Sequence, residues 1–224
     1  MIRTAVICPS RDDVEGLLSA HRSMVATSTD AVMIAVVDSD QTAMYDTITA
    51  TPDDRLIISY GTRDSRGGVV ASINAAIKNN PGFDVYGLMV CDARIETPGW
   101  ENWVASCVAR FPNRIGLMSA HHNVGRFVNF PYVTREWIDA VGWYACPDTF
   151  RFCWDTVAEM LGDATAIEYA EEKDFHIEHE LRRNDNTVNV FATDAIQFLG
   201  WCVNGRREAV SRLKAAIAVV KETT

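Results

Sequence analysis

The chain has 224 residues, 48% of them hydrophobic and 23% charged, and a formal net charge of −9. This composition excludes a disordered chain, and the length suits one domain over 1–224 with a sizeable core. The acidic balance weighs against non-specific nucleic-acid binding, where Lys and Arg supply most of the affinity. No apolar run approaches the roughly 18 residues that a membrane span needs, so no membrane partner is expected.

Ala5-Val6-Ile7-Cys8 is a short apolar run closed by Pro9, the pattern of a strand buried on both faces. Ser10, with Asp13 three residues on, predicts a helix N-cap, and Val14, Leu17, Leu18 and His21 follow at helical spacing. Val32 to Val37 predicts a second buried strand, ending at Asp38-Ser39-Asp40, and Leu56 to Tyr60 a third. Gly67-Gly68 opens a predicted helix through Val69 to Lys78, closed by Asn79-Asn80-Pro81-Gly82. Val85 to Cys91 predicts a fourth strand, ending at Asp92. An amphipathic stretch from Trp100 to about Phe111 predicts a helix, and Ile115 to Ala120 a strand. Helices are expected from Glu136 to Val141, stopped by Gly142, and from Asp155 to Leu161, stopped by Gly162. Val188-Asn189-Val190 predicts a short strand, and Val210, Leu213, Ile217 and Val220 mark a last amphipathic helix.

Strands alternating with helices predict an α/β fold, a mostly parallel sheet with helices on both faces. Ligands of such sheets bind outside the carboxyl ends of the strands. Ser10-Arg11, Asp38, Asp40 and Asp92 occupy that edge, although each also suits a turn or a helix cap. The glycine-rich stretch Gly61 to Gly68, with Arg66, offers backbone N–H groups to phosphates at a helix N-terminus, or is a plain loop. The six cysteines, Cys8, Cys91, Cys107, Cys146, Cys153 and Cys202, form no CxxC pair and read as reduced thiols. Met1-Ile2-Arg3-Thr4 runs directly into the first strand pattern. No leader is expected there, and a cytoplasmic location is.

The order of these segments resembles the family-two glycosyltransferases and their compact phage-encoded relatives. Val6-Ile7-Cys8-Pro9-Ser10-Arg11 looks like the family's first strand and nucleotide-contacting turn, and Val36-Val37-Asp38 like its second strand, whose aspartate receives the base. Asn74 matches an asparagine in the family's long helix. Cys91-Asp92-Ala93-Arg94, followed by Thr97-Pro98-Gly99-Trp100, sits where the family carries its DxD motif. Tyr132 to Arg135 resembles the acceptor-side segment. Trp154-Asp155 resembles the catalytic acid region, and Phe175 to His179 the region of the downstream histidine.

The resemblance implies a GT-A-type fold: a Rossmann-like nucleotide-binding half over about 1–98 and an acceptor-side catalytic half with C-terminal helices over about 99–224. It implies a hexosyltransferase-type enzyme that moves a sugar from a nucleoside diphosphate sugar, UDP by default, to a hydroxyl acceptor with inversion. Pro9, Ser10, Arg11, Asp38, Arg66, Asn74, Asp92 and Arg94 are then expected at the nucleotide-sugar. Asp92 and His179 are expected to hold Mn2+ or Mg2+, and Asp155 to act as general base. The leaving diphosphate gathers negative charge, which a hard cation or fixed donors must hold. The DxD motif is degenerate, so Asp92 works with His179, or Arg94 takes part of that charge.

Asp155 also fits as the N-cap of its helix, and Asp148 and Glu159 are alternative bases. His121-His122-Asn123 follows a strand end and faces either the same cleft or the core. The acceptor is open among a hydroxymethylated DNA base, a protein and a glycan. Two other readings remain. One is a sugar nucleotidyltransferase, although Gly61-Thr62-Arg63 lies far from the first strand. The other is a non-catalytic nucleotide-sugar or glycan-binding module.

Overall fold

A computed structural model describes residues 1–49, 54–62, 69–123, 128–147, 154–162, 165–180 and 198–218. Arg66, Asp148, Cys153, Gly67-Gly68 and the strand expected at Val188-Asn189-Val190 lie outside the described residues.

The chain opens with β1 (Thr4–Ser10), α1 (Val14–Thr27), β2 (Val32–Asp38), α2 (Thr42–Thr49), β3 (Leu56–Gly61), α3 (Val70–Asn79) and β4 (Val85–Leu88). It continues with β5 (Ala93–Ile95), α4 (Trp100–Arg110), β6 (Leu117–Ser119), β7 (His121–His122), β8 (Pro131–Thr134) and α5 (Arg135–Val141). The last described elements are α6 (Trp154–Gly162), β9 (Ile167–Tyr169), β10 (His176–His179) and α7 (Arg206–Ala218).

Seven strands form one sheet in the order β3-β2-β1-β4-β8-β6-β9. β1 pairs in parallel with both β2 and β4, β2 with β3, and β6 with β9. β8 runs antiparallel to both of its neighbours, so the sheet is mostly parallel, as the sequence pattern predicts. A second sheet of three short strands has the order β5-β10-β7.

Alternation along the central strands explains their unbroken apolar runs. Ala5 and Ile7 of β1, with Ile34 and Val36 of β2, face a core closed by α3, α5, α6 and α7. Val6 and Cys8, with Met33, Ala35 and Val37, face a second core closed by α1, α2, α4 and the small sheet. A strand buried on both faces has no polar positions to spare.

Three expectations change at element ends. Pro9 does not close β1, which runs on to Ser10, with Pro9 opposite Val36 of β2. Met89 N–H donates to Ile7 C=O at 2.9 Å, so Ile7 turns its peptide to the β4 side, and Pro9, two residues on, faces the same way. The ladder with β4 ends there, so no partner strand asks Pro9 for an N–H. Ser10 is not the N-cap of α1. Asp13 is, its Oδ1 accepting from Gly16 N–H at 2.8 Å. Asp12, in the left-handed region at φ 56, lengthens the turn between them. Gly162 is the last residue of α6 rather than its stop, and the Ile167 side chain occupies the space a Cβ would need.

Candidate functional site

β1 is flanked by β2 on one side and β4 on the other, so the chain order reverses between β1 and β4. In a parallel sheet that reversal opens a crevice at the carboxyl ends. Pro9, Ser10, Arg11, Asp38 and Asp92 all lie on the segments that leave this edge.

On the β2 side, Arg11 Nη1 donates to Asp38 Oδ2 at 2.5 Å. Its Nη1 and Nη2 reach the two oxygens of Asp40 at 3.1 Å each. The Asp38 side chain is 8% exposed and that of Arg11 36%. Two carboxylates around one cation raise the Arg11 pKa, the Asp38 hydrogen bond most, so the guanidinium carries its charge throughout. Arg11 and Asp38, each expected to reach a nucleotide, are bound to one another. Ser10 Oγ lies 2.7 Å from the Tyr45 hydroxyl on α2, a partner the sequence did not suggest.

On the β4 side, Cys91 packs under the turn. Its Sγ donates to Pro9 C=O at 3.5 Å and lies 3.9 Å from Cys8 Sγ. The hydrogen bond to Cys91 and burial push the Cys8 thiol well up, which keeps it neutral and unreactive. Arg94 Nη1 donates to Cys91 C=O at 2.8 Å and to Ala93 C=O at 2.5 Å. Arg94 therefore bridges the carbonyls on either side of Asp92.

The small sheet brings a distant histidine to that turn. Glu180 N–H donates to Asp92 C=O at 2.9 Å, and His179 pairs with Ala93 across the β5–β10 ladder. The result sets His179 Nε2 3.4 Å from Asp92 Oδ1, with the side chains 19% and 18% exposed. The imidazole packs edge-on to Phe130, ring centroids 5.4 Å apart. Its Nδ1 is buried with no hydrogen-bond partner among the described residues.

The pair has the donor atoms of a cation site. A separation of 3.4 Å is long for a charge-assisted hydrogen bond and close to the spacing of two ligands of one first-row cation. A carboxylate oxygen with an imidazole nitrogen suits Mn2+. The described residues contain no group of three or more His, Cys, Asp or Glu arranged for a metal, so the pair supplies two ligands at most among them. On donor type and spacing, the residues fit.

Two further expected residues lie on helices. Asn74 on α3 turns its amide to a loop: Oδ1 accepts from Tyr144 and Ala145 N–H, both at 3.0 Å, and Nδ2 donates to Ala145 C=O at 2.7 Å. It holds the main chain at Tyr144 and Ala145 in place. Asp155 stands in the first turn of α6. His176 does not join His179. It lies on the other face of β10, its Nδ1 2.9 Å from His121 Nδ1 and its Nε2 3.3 Å from Glu178 Oε2.

No protein-family model matches the chain, and no curated protein matches it. Solved structures do share its fold. TarS from S. aureus is 13% identical at a TM-score of 0.62, over 91% of this chain and 40% of TarS. Residues 1–349 of TarS have been solved in complex with UDP. GalNAc-T7, solved with UDP, GalNAc and Mn2+, is 8% identical at a TM-score of 0.62, over 99% of this chain and 54% of that one. The inositol-1-phosphate CTP transferase from T. maritima is 10% identical at a TM-score of 0.50, over 86% of this chain and 96% of that one. The chain thus spans 40% of the length of TarS and 54% of that of GalNAc-T7. At these identities the likeness is one of fold, and it is the GT-A fold that the sequence resemblance implies.

Proposed function

We propose that the chain is a metal-dependent, inverting glycosyltransferase that moves a sugar from a UDP-sugar to a hydroxyl acceptor. One observation carries the reading: Asp92 and His179, 87 positions apart by 179 − 92, face each other at 3.4 Å on the carboxyl edge of the sheet. Asp92 and His179 would hold Mn2+ or Mg2+, which would offset the charge that builds on the leaving diphosphate. Arg94 fixes the turn that aims Asp92. Asp38 accepts an N–H of the base, with Arg11 holding its carboxylate in place. Pro9 and Ser10 line the floor between the two, and Arg66 is assigned to the phosphates. Asp155, at the start of α6, takes the proton of the acceptor hydroxyl. The acceptor class stays as the sequence left it: a hydroxymethylated DNA base, a protein or a glycan. The assigned compartment is the cytoplasm.

The fold neighbours support this reading: TarS has been solved with UDP, and GalNAc-T7 with UDP, GalNAc and Mn2+. The fold shared with a CTP transferase favours a second reading, transfer of a nucleotide to a sugar phosphate. A thermal-shift screen of nucleotide-sugars with and without Mn2+ decides between them. UDP-sugars are expected to raise the Tm only with Mn2+, and acceptor-dependent release of UDP should follow. Asp155→Asn should keep the shift and lose transfer by 100-fold or more, on the order of a general-base contribution. Pyrophosphate release from a nucleoside triphosphate and a sugar phosphate would establish the second reading instead.

A further inference from the structure

In the β5–β10 ladder, Glu180 N–H donates to Asp92 C=O and Glu96 N–H to His176 C=O. His179 pairs with Ala93 between those bonded positions. An antiparallel pair of that kind turns its N–H and C=O away from the partner strand. The peptide groups of His179 therefore point to the other edge of β10, where β7 lies. The β7 ladder has already ended, because it pairs only His176 with His121 and Ile177 with His122.

Asn123, the next residue after β7, takes up both groups with its side chain. His179 N–H donates to Asn123 Oδ1 at 3.0 Å, and Asn123 Nδ2 donates to His179 C=O at 3.3 Å. The primary amide stands in for a strand peptide and adds one more rung to the sheet. Nδ2 also donates to Glu178 Oε1 at 2.5 Å. Glu178 Oε2 meets His176 Nε2 at 3.3 Å, and His176 Nδ1 meets His121 Nδ1 at 2.9 Å. The Asn123 amide is thus held on the solvent-facing side of β10 while it clamps the residue whose ring turns the other way, to Asp92.

We propose that Asn123 is a positioning residue for the His179–Asp92 pair: it fixes the main chain of His179 and through it the imidazole. This rests on the reading of that pair as a cation site. Without Asn123, the N–H and C=O of His179 lose their only protein partners on that edge among the described residues, and the end of β10 is held by β5 alone. The imidazole then samples positions away from Asp92.

The test uses the whole chain and Mn2+ alone as the probe. Asn123→Ala should raise the Kd for Mn2+ by 10-fold or more, the usual effect of removing a partner behind a metal ligand. UDP affinity at saturating Mn2+ should change far less than the Mn2+ Kd, because Asn123 acts through the main chain of His179. Asn123→Asp keeps the acceptor for His179 N–H and loses the donor, so its Kd should fall between the two. In the absence of metal, NMR should show the His179 amide and ring resonances displaced in Asn123→Ala, with those of Ile95 unmoved. A lower Tm with unshifted His179 resonances and an unchanged Mn2+ Kd would overturn the inference. Failure of the wild type to bind Mn2+ would count against the cation reading, and the metal-free NMR comparison would still decide whether Asn123 positions His179.

Discussion

Two residue pairs flank the crevice, and they differ in how closely their members approach. Arg11 and Asp38 satisfy each other at 2.5 Å with Asp40 alongside. Asp92 and His179 sit 3.4 Å apart, close enough to interact and too far to bond strongly. The second pair is the one to which the proposed function assigns the cation. A single carboxylate or a single imidazole binds Mn2+ poorly in water, whereas two on rigid neighbours act together. Asp92→Asn and His179→Ala should therefore each weaken Mn2+ binding by about 10- to 100-fold, and the double variant should be little worse than either alone. Calorimetric titration of the three variants measures this. Fully additive losses would mean that the two side chains do not share one ion.

At the scale of elements, an aromatic cluster carries the small sheet. Trp100 of α4 stacks on Phe175, just before β10, with centroids 4.6 Å apart, and Tyr132 of β8 meets both edge-on at 5.7 and 5.1 Å. Tyr132 lies across Gly87 of β4, its cross-strand partner, where a Cβ would come within 2.0 Å of the ring. Gly87→Ala should thus destabilise by about 2 kcal/mol or more through overpacking. The Tyr132 hydroxyl is buried with no partner among the described residues. Tyr132→Phe removes a desolvated polar group and keeps the packing, so it should be neutral or stabilising by about 1 kcal/mol. Urea unfolding of both variants checks the pair, and a marked loss in Tyr132→Phe would reveal a partner for that hydroxyl. The same scale explains what was legible in the sequence. β1, β2 and β4 stood out because strands buried on both faces read as unbroken apolar runs, and β3, half-buried at the sheet edge, through its run Leu56-Ile57-Ile58. β5, β7 and β10 span two to four residues and carry His, Arg and Glu, so no run marks them. α2 is missed because three of its eight residues are threonine, a weak helix former. Asp38 and Asp92 were legible as acids at strand ends, and His179 through family resemblance. Asn123 stands beside two histidines in the sequence, but an amide bonding to main chain 56 positions away leaves no local pattern.

For the molecule as a whole, the two cores on either face of the large sheet make stability a property of both, and high pH attacks both. Burial pushes up the Tyr86 and Tyr144 hydroxyls in one core and those of Tyr45 and Tyr132 in the other. Cys107 of α4, in the core beneath the small sheet, is pushed up to about 11, again mainly by burial. For acids of this kind the fold favours the neutral form. The stability they contribute is fully present below the unfolded pKa and is lost as pH rises through the folded one. For Cys107 the window runs from the ordinary thiol value of 9.0 to about 11. Across it the unfolded chain holds up to one proton fewer than the native one, so unfolding free energy falls by up to ~1.4 kcal/mol per pH unit from this residue. Urea unfolding at intervals from pH 8.5 to 11 should show stability falling throughout. Cys107→Ala should make the curve shallower between pH 9 and 10, where the buried Cys8 thiol still contributes, at a small fixed cost from the lost sulfur. Parallel curves for wild type and variant would mean that the thiol ionises as readily in the fold as in water, and that the core under the small sheet admits solvent.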